Sequence, residues 1–85
     1  MPYYVYILES ELDGTYYVGL TRDLDVRVAR HNQGGSRYTK SKRPWKVIYS
    51  EKFENKSDAL IRERQIKRRK SREYVETLMR TDLAS

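Results

Sequence analysis

The sequence predicts an α+β fold of order β-β-α-β-α-α, a three-stranded antiparallel sheet flanked by helices, and three observations carry that expectation. Two runs rich in aromatic and β-branched residues flank Asp13-Gly14 near the N-terminus, the pattern of a hairpin. Gly34 and Gly35 close a first stretch of helical periodicity, as glycines do where a helix ends. Beyond a third β-type run, the second half of the chain sets apolar residues at helical spacing behind serines able to cap. At 85 residues a chain holds one modest core, so a single domain over residues 1–85 is expected.

The first two strands are expected at Tyr3 to Glu9 and Thr15 to Leu20. Opposed residues of an antiparallel pair have position numbers of constant sum, and any odd sum puts Tyr6 and Tyr17 on one face. A two-residue Asp13-Gly14 turn gives an odd sum, as does a loop longer by two or four residues. Val5, Ile7, Val18 and Leu20 then form the opposite, apolar face. Thr21 or Asp23 can cap a helix from Leu24 to Asn32, with Leu24 and Val28 on one side and Arg27 and His31, one turn apart, at its edge.

Gln33 to Pro44 reads as a basic loop and Trp45 to Glu51 as the third strand. Ser57 is the expected cap of a helix from Asp58 to about Lys70. Ser71 is the expected cap of a last helix to about Arg80, with Val75, Leu78 and Met79 inward. On the second helix Ala59, Leu60 and Ile66 define an apolar stripe and Glu63 falls inside it. Ile61 breaks the pattern, and the third helix or a partner is expected to cover it.

Composition narrows the function classes. Hydrophobic residues make up 38% of the chain, and no apolar run approaches the roughly 18 residues of a membrane span. A soluble protein is expected. The N-terminus lacks the pattern of a signal peptide and there is no cysteine, so disulfides and cysteine-bound zinc are excluded and the cytoplasm is the expected address. The net charge of +6, from 18 basic and 12 acidic residues, has its excess mostly from Arg37 onward, which suits a polyanionic partner as well as solubility.

Glutamate is rarely buried unless paired or metal-bound, so Glu63 on an apolar stripe asks for a cation: Arg27, His31 or a metal. A salt bridge holding helix to sheet is one reading. A hard divalent ion, held by one carboxylate with substrate phosphate and water, is the other. Arg27 is either a surface arginine or a fork aimed at phosphate, and His31 either hydrogen-bonds at a core edge or takes part in chemistry. Tyr6 and Tyr17 are either a cross-strand pair worth about 0.2 to 1 kcal/mol or phenols at a reaction centre. Using one as a base near neutral pH requires its pKa, ordinarily about 10, to fall with help from a cation. Arg27 and a metal are the expected source. Together these five supply candidates for activating water, stabilising charge on phosphate and easing departure of a leaving oxygen.

Two basic segments suit a phosphate backbone. The loop from Gly34 to Arg43 offers Arg37, Lys40, Lys42 and Arg43 around Tyr38, a platform for a base. The run Arg62, Arg64, Lys67, Arg68, Arg69, Lys70, Arg72 is denser, although a solvated helical face has the same look. Arg30, Arg37, Tyr38, Lys40, Lys42, Arg43, Arg64, Lys67 and Arg68 are the expected nucleic-acid contacts.

The ordered set of these residues closely resembles the GIY-YIG nuclease superfamily, in particular its compact single-domain bacterial members, over nearly the whole chain. Tyr4-Val5-Tyr6 stands for the GIY element and Tyr17-Val18-Gly19 for YIG. Arg27 matches the arginine of the following helix, His31 a position of histidine or tyrosine, and Ile61-Arg62-Glu63 the helix with the metal-binding glutamate. Tyr4 replaces the first glycine, and Leu20 stands where some members place lysine. The resemblance implies that Tyr6 or Tyr17 is the general base on water while the other orients it. It further implies that Arg27 stabilises the pentacovalent phosphate, His31 supports the site and Glu63 holds Mg²⁺ or Mn²⁺.

The expected function is therefore a metal-dependent endonuclease, structure-preferring with little sequence selectivity. It would act on DNA or RNA, with DNA the favoured substrate, as a monomer, with other repair or recombination proteins as partners. A non-catalytic basic nucleic-acid-binding module that kept the fold is the alternative, and a protein-interaction domain with an idle charged surface a third reading.

Overall fold

A computed structural model of the protein describes residues 2–69 and 71–84, the side chains of 81–84 excepted. Strands β1 (Tyr3–Ser10), β2 (Tyr16–Thr21) and β3 (Trp45–Phe53) alternate with helices α1 (Leu24–Asn32), α2 (Lys56–Arg68) and α3 (Arg72–Ala84) in the predicted order. The sheet is antiparallel throughout, with strand order β2-β1-β3.

The hairpin takes the middle of the three odd registers: Leu8 opposes Tyr17 and Tyr6 opposes Gly19. Its loop is thus two residues longer than the minimal turn. Gly14, at φ 78°, supplies the left-handed residue, and its N–H donates to the Ser10 carbonyl at 2.9 Å. The buried Ser10 hydroxyl accepts from the Leu12 N–H and donates to the Lys42 carbonyl at 2.6 Å, so the loop is tied to the segment before β3. A bulge opposite Ile7 and Leu8 leaves Ile48 unpaired in β3.

Side-chain alternation gives the sheet two apolar faces. Val5, Ile7 and Val18 pack with Ala59 and Ile66 of α2 and with Val75 and Leu78 of α3; Leu20 and Met79 lie at the margin of this cluster. Tyr6, Leu8 and Trp45 form the other face, where Leu24 and Val28 of α1 and Tyr17 join them. Each fully buried side chain of this size is worth about 1.5 to 3 kcal/mol, which is what fixes α1 to one side of the sheet and α2 and α3 to the other.

α1 has the predicted limits. Asp23, not Thr21, is its cap and accepts from the Val26 N–H at 3.1 Å; Thr21 instead accepts from the Asp23 N–H. At the other end Gly34 adopts φ 81°, its N–H reaching the His31 carbonyl and the Gly35 N–H the Arg30 carbonyl at 2.9 Å, a Schellman ending that needs glycine at 34.

One expectation needs correcting here, the cap of α2. α2 starts at Lys56 because Asn55, with extended backbone, accepts from the Asp58 N–H at 2.9 Å; Ser57 lies inside the first turn and is not the cap. The helix stops at Arg68, and Lys70, placed at its end from sequence, lies outside the described residues. α3 leaves Ile61 56% exposed, because that residue sits on the basic side of α2 with Arg64, Lys67 and Arg68 around a shallow depression. Ser71 does cap α3, accepting from the Tyr74 N–H at 3.1 Å.

The dense basic run is not one solvated face. Arg62 Nε donates to both carboxylate oxygens of Glu51 at 3.1 and 3.0 Å, its Nη1 to the Tyr74 hydroxyl at 3.1 Å, and the Tyr49 hydroxyl donates to the same carboxylate at 2.6 Å. This half-buried fork joins α2, α3 and β3. Arg72 lies over the Tyr16 ring and donates to its hydroxyl at 3.1 Å, which holds α3 to the hairpin.

Candidate active site

Gly19 opens the site. A Cβ built there would fall on the phenol oxygen and Cζ of Tyr6, so the Tyr6 ring crosses its cross-strand partner toward β2, the edge strand. Only a residue without a side chain permits that path. Tyr6 is 1% exposed despite its polar tip, and its hydroxyl therefore needs an internal partner. It finds His31, whose Nε2 lies 3.2 Å away.

His31 is also 1% exposed and its second ring nitrogen is engaged: Nδ1 lies 2.8 Å from the Thr39 hydroxyl. Thr39 is fully buried. Its hydroxyl points its proton at the Ser36 carbonyl at 3.5 Å, leaving the oxygen to accept from Nδ1–H. With the hydroxyl so directed the ring is the neutral Nδ1–H tautomer and Nε2 accepts from the Tyr6 hydroxyl; if Thr39 donates to Nδ1 instead, Nε2–H donates to Tyr6, so the two contacts alone are satisfied by either tautomer. The chain of bonds continues structurally, since the Thr39 carbonyl accepts from Trp45 Nε1–H at 2.8 Å. Asn32 clamps the Trp45 backbone, accepting from its N–H at 2.6 Å and donating to its carbonyl at 3.0 Å. Tyr17 completes the cluster, edge-on to His31 at 4.9 Å between ring centroids and to Trp45 at 6.4 Å; the Tyr6 ring is likewise 6.4 Å away.

Arg27 projects from α1, half-buried, and among the described residues its side chain has no hydrogen bond or ion pair. Its charge is felt at both Tyr6 and His31. Glu63 comes from α2, on the other side of the sheet, and its charge also reaches Tyr6. The carboxylate is 15% exposed and lies 3.5 Å from Lys67, one turn along the same helix. The cation that Glu63 asks for is thus Lys67 in the free protein, not Arg27 or His31. Of the five predicted site residues, Tyr6, Tyr17 and His31 are in direct contact, whereas Arg27 and Glu63 reach Tyr6 through their charge.

The electrostatics correct one expectation. Burial, followed by the neighbouring Tyr17 and the Glu63 charge, pushes the Tyr6 phenol above its ordinary range; Arg27 pulls the other way and is outweighed. Burial, together with Arg27 and Arg30, holds His31 below its ordinary value of 6.5. Near neutral pH the pair is therefore phenol and neutral imidazole, and Arg27 does not by itself make Tyr6 a phenolate.

Among the described residues no three His, Cys, Asp or Glu side chains gather into a metal cluster. A single carboxylate still fits a hard divalent ion that takes its remaining ligands from phosphate and water. Glu63, largely buried on α2, offers one oxygen donor of that kind. Its half-exposed i,i+4 partner Lys67 contributes no more than about 0.5 kcal/mol, so exchanging it for an ion costs little.

The expected nucleic-acid contacts fall in two groups. Tyr38 is 87% exposed at the loop tip, beside exposed Arg37 and Lys40. Arg43 Nε donates to the Lys40 carbonyl and Lys42 pairs with Asp13, so both also serve the loop's own structure. Arg30 is exposed and folds over Gly35. Arg64, Lys67 and Arg68 surround Ile61. Sequence reasoning missed Thr39, which carries no local signal because its partner is on another element, and Arg22 and Lys56, which line a recess with Arg27.

A small antiparallel sheet that buries a tyrosine over an edge-strand glycine, beside an imidazole, an unpaired guanidinium and one carboxylate, defines a nuclease-type domain of the GIY-YIG class. The model of the GIY-YIG catalytic domain matches residues 2–75, and the chain belongs to that family. It is 44% identical over 66 residues to a UPF0213 protein of Staphylococcus saprophyticus, covering 76% of this chain and 79% of the relative. Identity to a UPF0213 protein of Staphylococcus aureus is 46% with the same coverage. The solution NMR structure of a UPF0213 protein from Bacillus halodurans superposes with a TM-score of 0.59 at 36% identity, covering 95% of this chain and 85% of the other.

Proposed function

We propose that the protein is a divalent-metal-dependent endonuclease that hydrolyses phosphodiester bonds in nucleic acid, DNA rather than RNA, choosing substrates by structure more than by sequence. One observation carries the reading: a half-buried guanidinium, Arg27, with no anionic partner among the described residues, next to a buried phenol–imidazole pair. A partly buried guanidinium with no carboxylate of its own is free to pair with an outside anion, and a phosphate oxygen suits its planar fork.

In this reading the reacting phosphate rests on Arg27, which stabilises the charge that grows on it. Water approaches the phenol oxygen of Tyr6. The phenol oxygen lies 3.2 Å from a neutral Nε2, so Tyr6 takes the water proton in the same step as its own passes to His31; since the phenol is not a free phenolate at neutral pH, the two transfers are coupled. Tyr17, half-buried and against the imidazole, orients the water; the reverse assignment of the two phenols uses the same geometry. Thr39 holds the His31 ring while it becomes charged. Glu63 would hold the ion, which when bound supplies positive charge to the phosphate oxygens and eases loss of the leaving group. The basic loop with Tyr38 and the Arg64, Lys67 and Arg68 face hold flanking nucleic acid.

The test is incubation with a panel of labelled duplex, single-stranded and branched substrates, with and without Mn²⁺. Wild-type protein is expected to nick at least one substrate only with the ion, and Arg27→Ala and Glu63→Ala each to abolish nicking while melting like wild type. Salt-dependent binding with no strand breaks under any divalent ion, unaffected by Glu63→Ala, would establish a non-catalytic binding module instead.

A further inference from the structure

Arg27 belongs to two places at once. Besides the reaction centre, it lines a recess of about 470 Å³ with Tyr3, Leu20, Thr21, Arg22 and Lys56, where the end of β2 meets the first turns of α1 and α2. Three of the six lining side chains are cationic and none is acidic. Arg22 is preset: its guanidinium lies 5.0 Å above the centroid of the Tyr3 ring and donates to the Tyr3 hydroxyl at 2.8 Å. Lys56 has no ion pair among the described residues, and the nearby Asp23 carboxylate is turned to the Val26 N–H as the α1 cap. Such an arrangement concentrates positive charge in a recess with no acidic lining residue among those described, although Asp23 and Asp25 lie on the far side of Arg22, and a stacked guanidinium has already lost much of the freedom that binding would cost.

We infer that this recess is a subsite for the non-bridging oxygens of the phosphodiester next to the scissile one, gripped by Arg22 and Lys56. The inference rests on the nuclease reading for which phosphate is scissile. It adds a direction, since the strand leaves the reaction centre past Arg27 toward the start of α2. Arg22 and Lys56 then act on binding, and the bond-breaking step does not depend on them.

The test is the salt dependence of binding of a fluorescein-labelled DNA hairpin with a single-stranded tail, in EDTA, for wild type, Lys56→Gln and the Arg22→Gln/Lys56→Gln pair. Each lost phosphate contact is expected to lower the slope of log K against log salt by about 0.7 to 0.9, so the double variant loses about twice that and binds at least tenfold more weakly at low salt. With metal, KM for the hairpin is expected to rise with kcat within twofold of wild type. Hydrolysis of bis(p-nitrophenyl) phosphate, which has a single phosphodiester, is expected to be unaffected. An unchanged slope in the double variant, or an unchanged slope in Lys56→Gln together with a kcat loss in the pair, overturns the subsite. If wild type binds but never cleaves and the slope still falls, the phosphate grip stands and the catalytic reading fails. A wild type without salt-sensitive binding overturns both.

Discussion

Tyr6 and Gly19 oppose each other across β1 and β2, and the Tyr6 phenol occupies the space that any side chain at position 19 would need. The glycine is thus required for volume, since its backbone is ordinary strand. Gly19→Ala is expected to cost about 1 to 3 kcal/mol, the usual penalty of overpacking. In a domain of this size that lowers the thermal midpoint by roughly 4 to 8 °C per kcal/mol. The ring must also swing off Gly19, which lengthens its bond to His31, so nicking should fall further than stability accounts for. A melt together with the His31 ring resonances checks both; an alanine variant with wild-type midpoint and unmoved resonances contradicts the geometry.

His31 and Tyr6 shift in opposite directions, and their linkage to stability follows. His31 is held below 6.5 when folded, so between its folded pKa and 6.5 the unfolded chain binds more protons than the folded one. Its contribution to stability is full above 6.5 and is lost as pH falls through that window. Tyr6 is raised above 10. Its contribution is full below 10 and is lost as pH rises from there toward the folded value. Arg27→Gln should move His31 upward, since the Arg27 charge helps depress it, and Tyr6 further up. NMR titration of the single histidine reads the first effect directly; a His31 that titrates at 6.5 or above in wild type would contradict the depression by burial and Arg27.

Most of this constellation was legible because its signals are local or depend on parity alone. α1 matched residue for residue since both ends carry their signal locally, Asp23 before and Gly34 after. Tyr6 and Tyr17 share a face under any odd register, so the choice among three loops did not matter. The start of α2 was misread because Asn55 and Ser57 are both competent caps, and the chain's exit from β3 at Phe53 decides between them. The direction of the Tyr6 shift and the partner of Glu63 were beyond reach for a different reason: both depend on burial and on distances between elements, which spacing along a chain does not encode.

The same holds for Arg62. The basic residues Arg64, Lys67 and Arg68 of α2 are exposed, yet the Arg62 fork on Glu51 and its bond to Tyr74 make it the tie between α2, β3 and α3. Removing one partner of a half-buried, bidentate pair leaves the other short of hydrogen bonds, so Arg62→Ala is expected to cost about 1 to 3 kcal/mol. It should leave the salt slope of nucleic-acid binding unchanged. Arg68→Ala, by contrast, should reduce the slope with the melt unmoved. Exchange of those two phenotypes would show that Arg62 faces nucleic acid and not Glu51.

Thr39 ties the basic loop to the chemistry. Its hydroxyl lies 2.8 Å from His31 Nδ1, and in the Nδ1–H tautomer the relay requires, that bond keeps Nε2 free to receive the Tyr6 proton. Thr39→Val preserves shape and removes the acceptor, which leaves a buried N–H unpaired at a cost of about 1 to 3 kcal/mol. The ring can relieve this by shifting its proton to Nε2 and donating to Tyr6, and the tautomer then has the wrong hand for accepting the phenol proton. Valine should accordingly exchange the ¹⁵N shifts of the two ring nitrogens and lower kcat with little change in KM, whereas Thr39→Ser, which keeps the hydroxyl, should restore both. Because the ¹⁵N pattern is read without substrate or metal, it separates a positioning role from loosened packing: a valine variant that is less stable and slower but keeps the Nδ1–H pattern would assign Thr39 to the core alone.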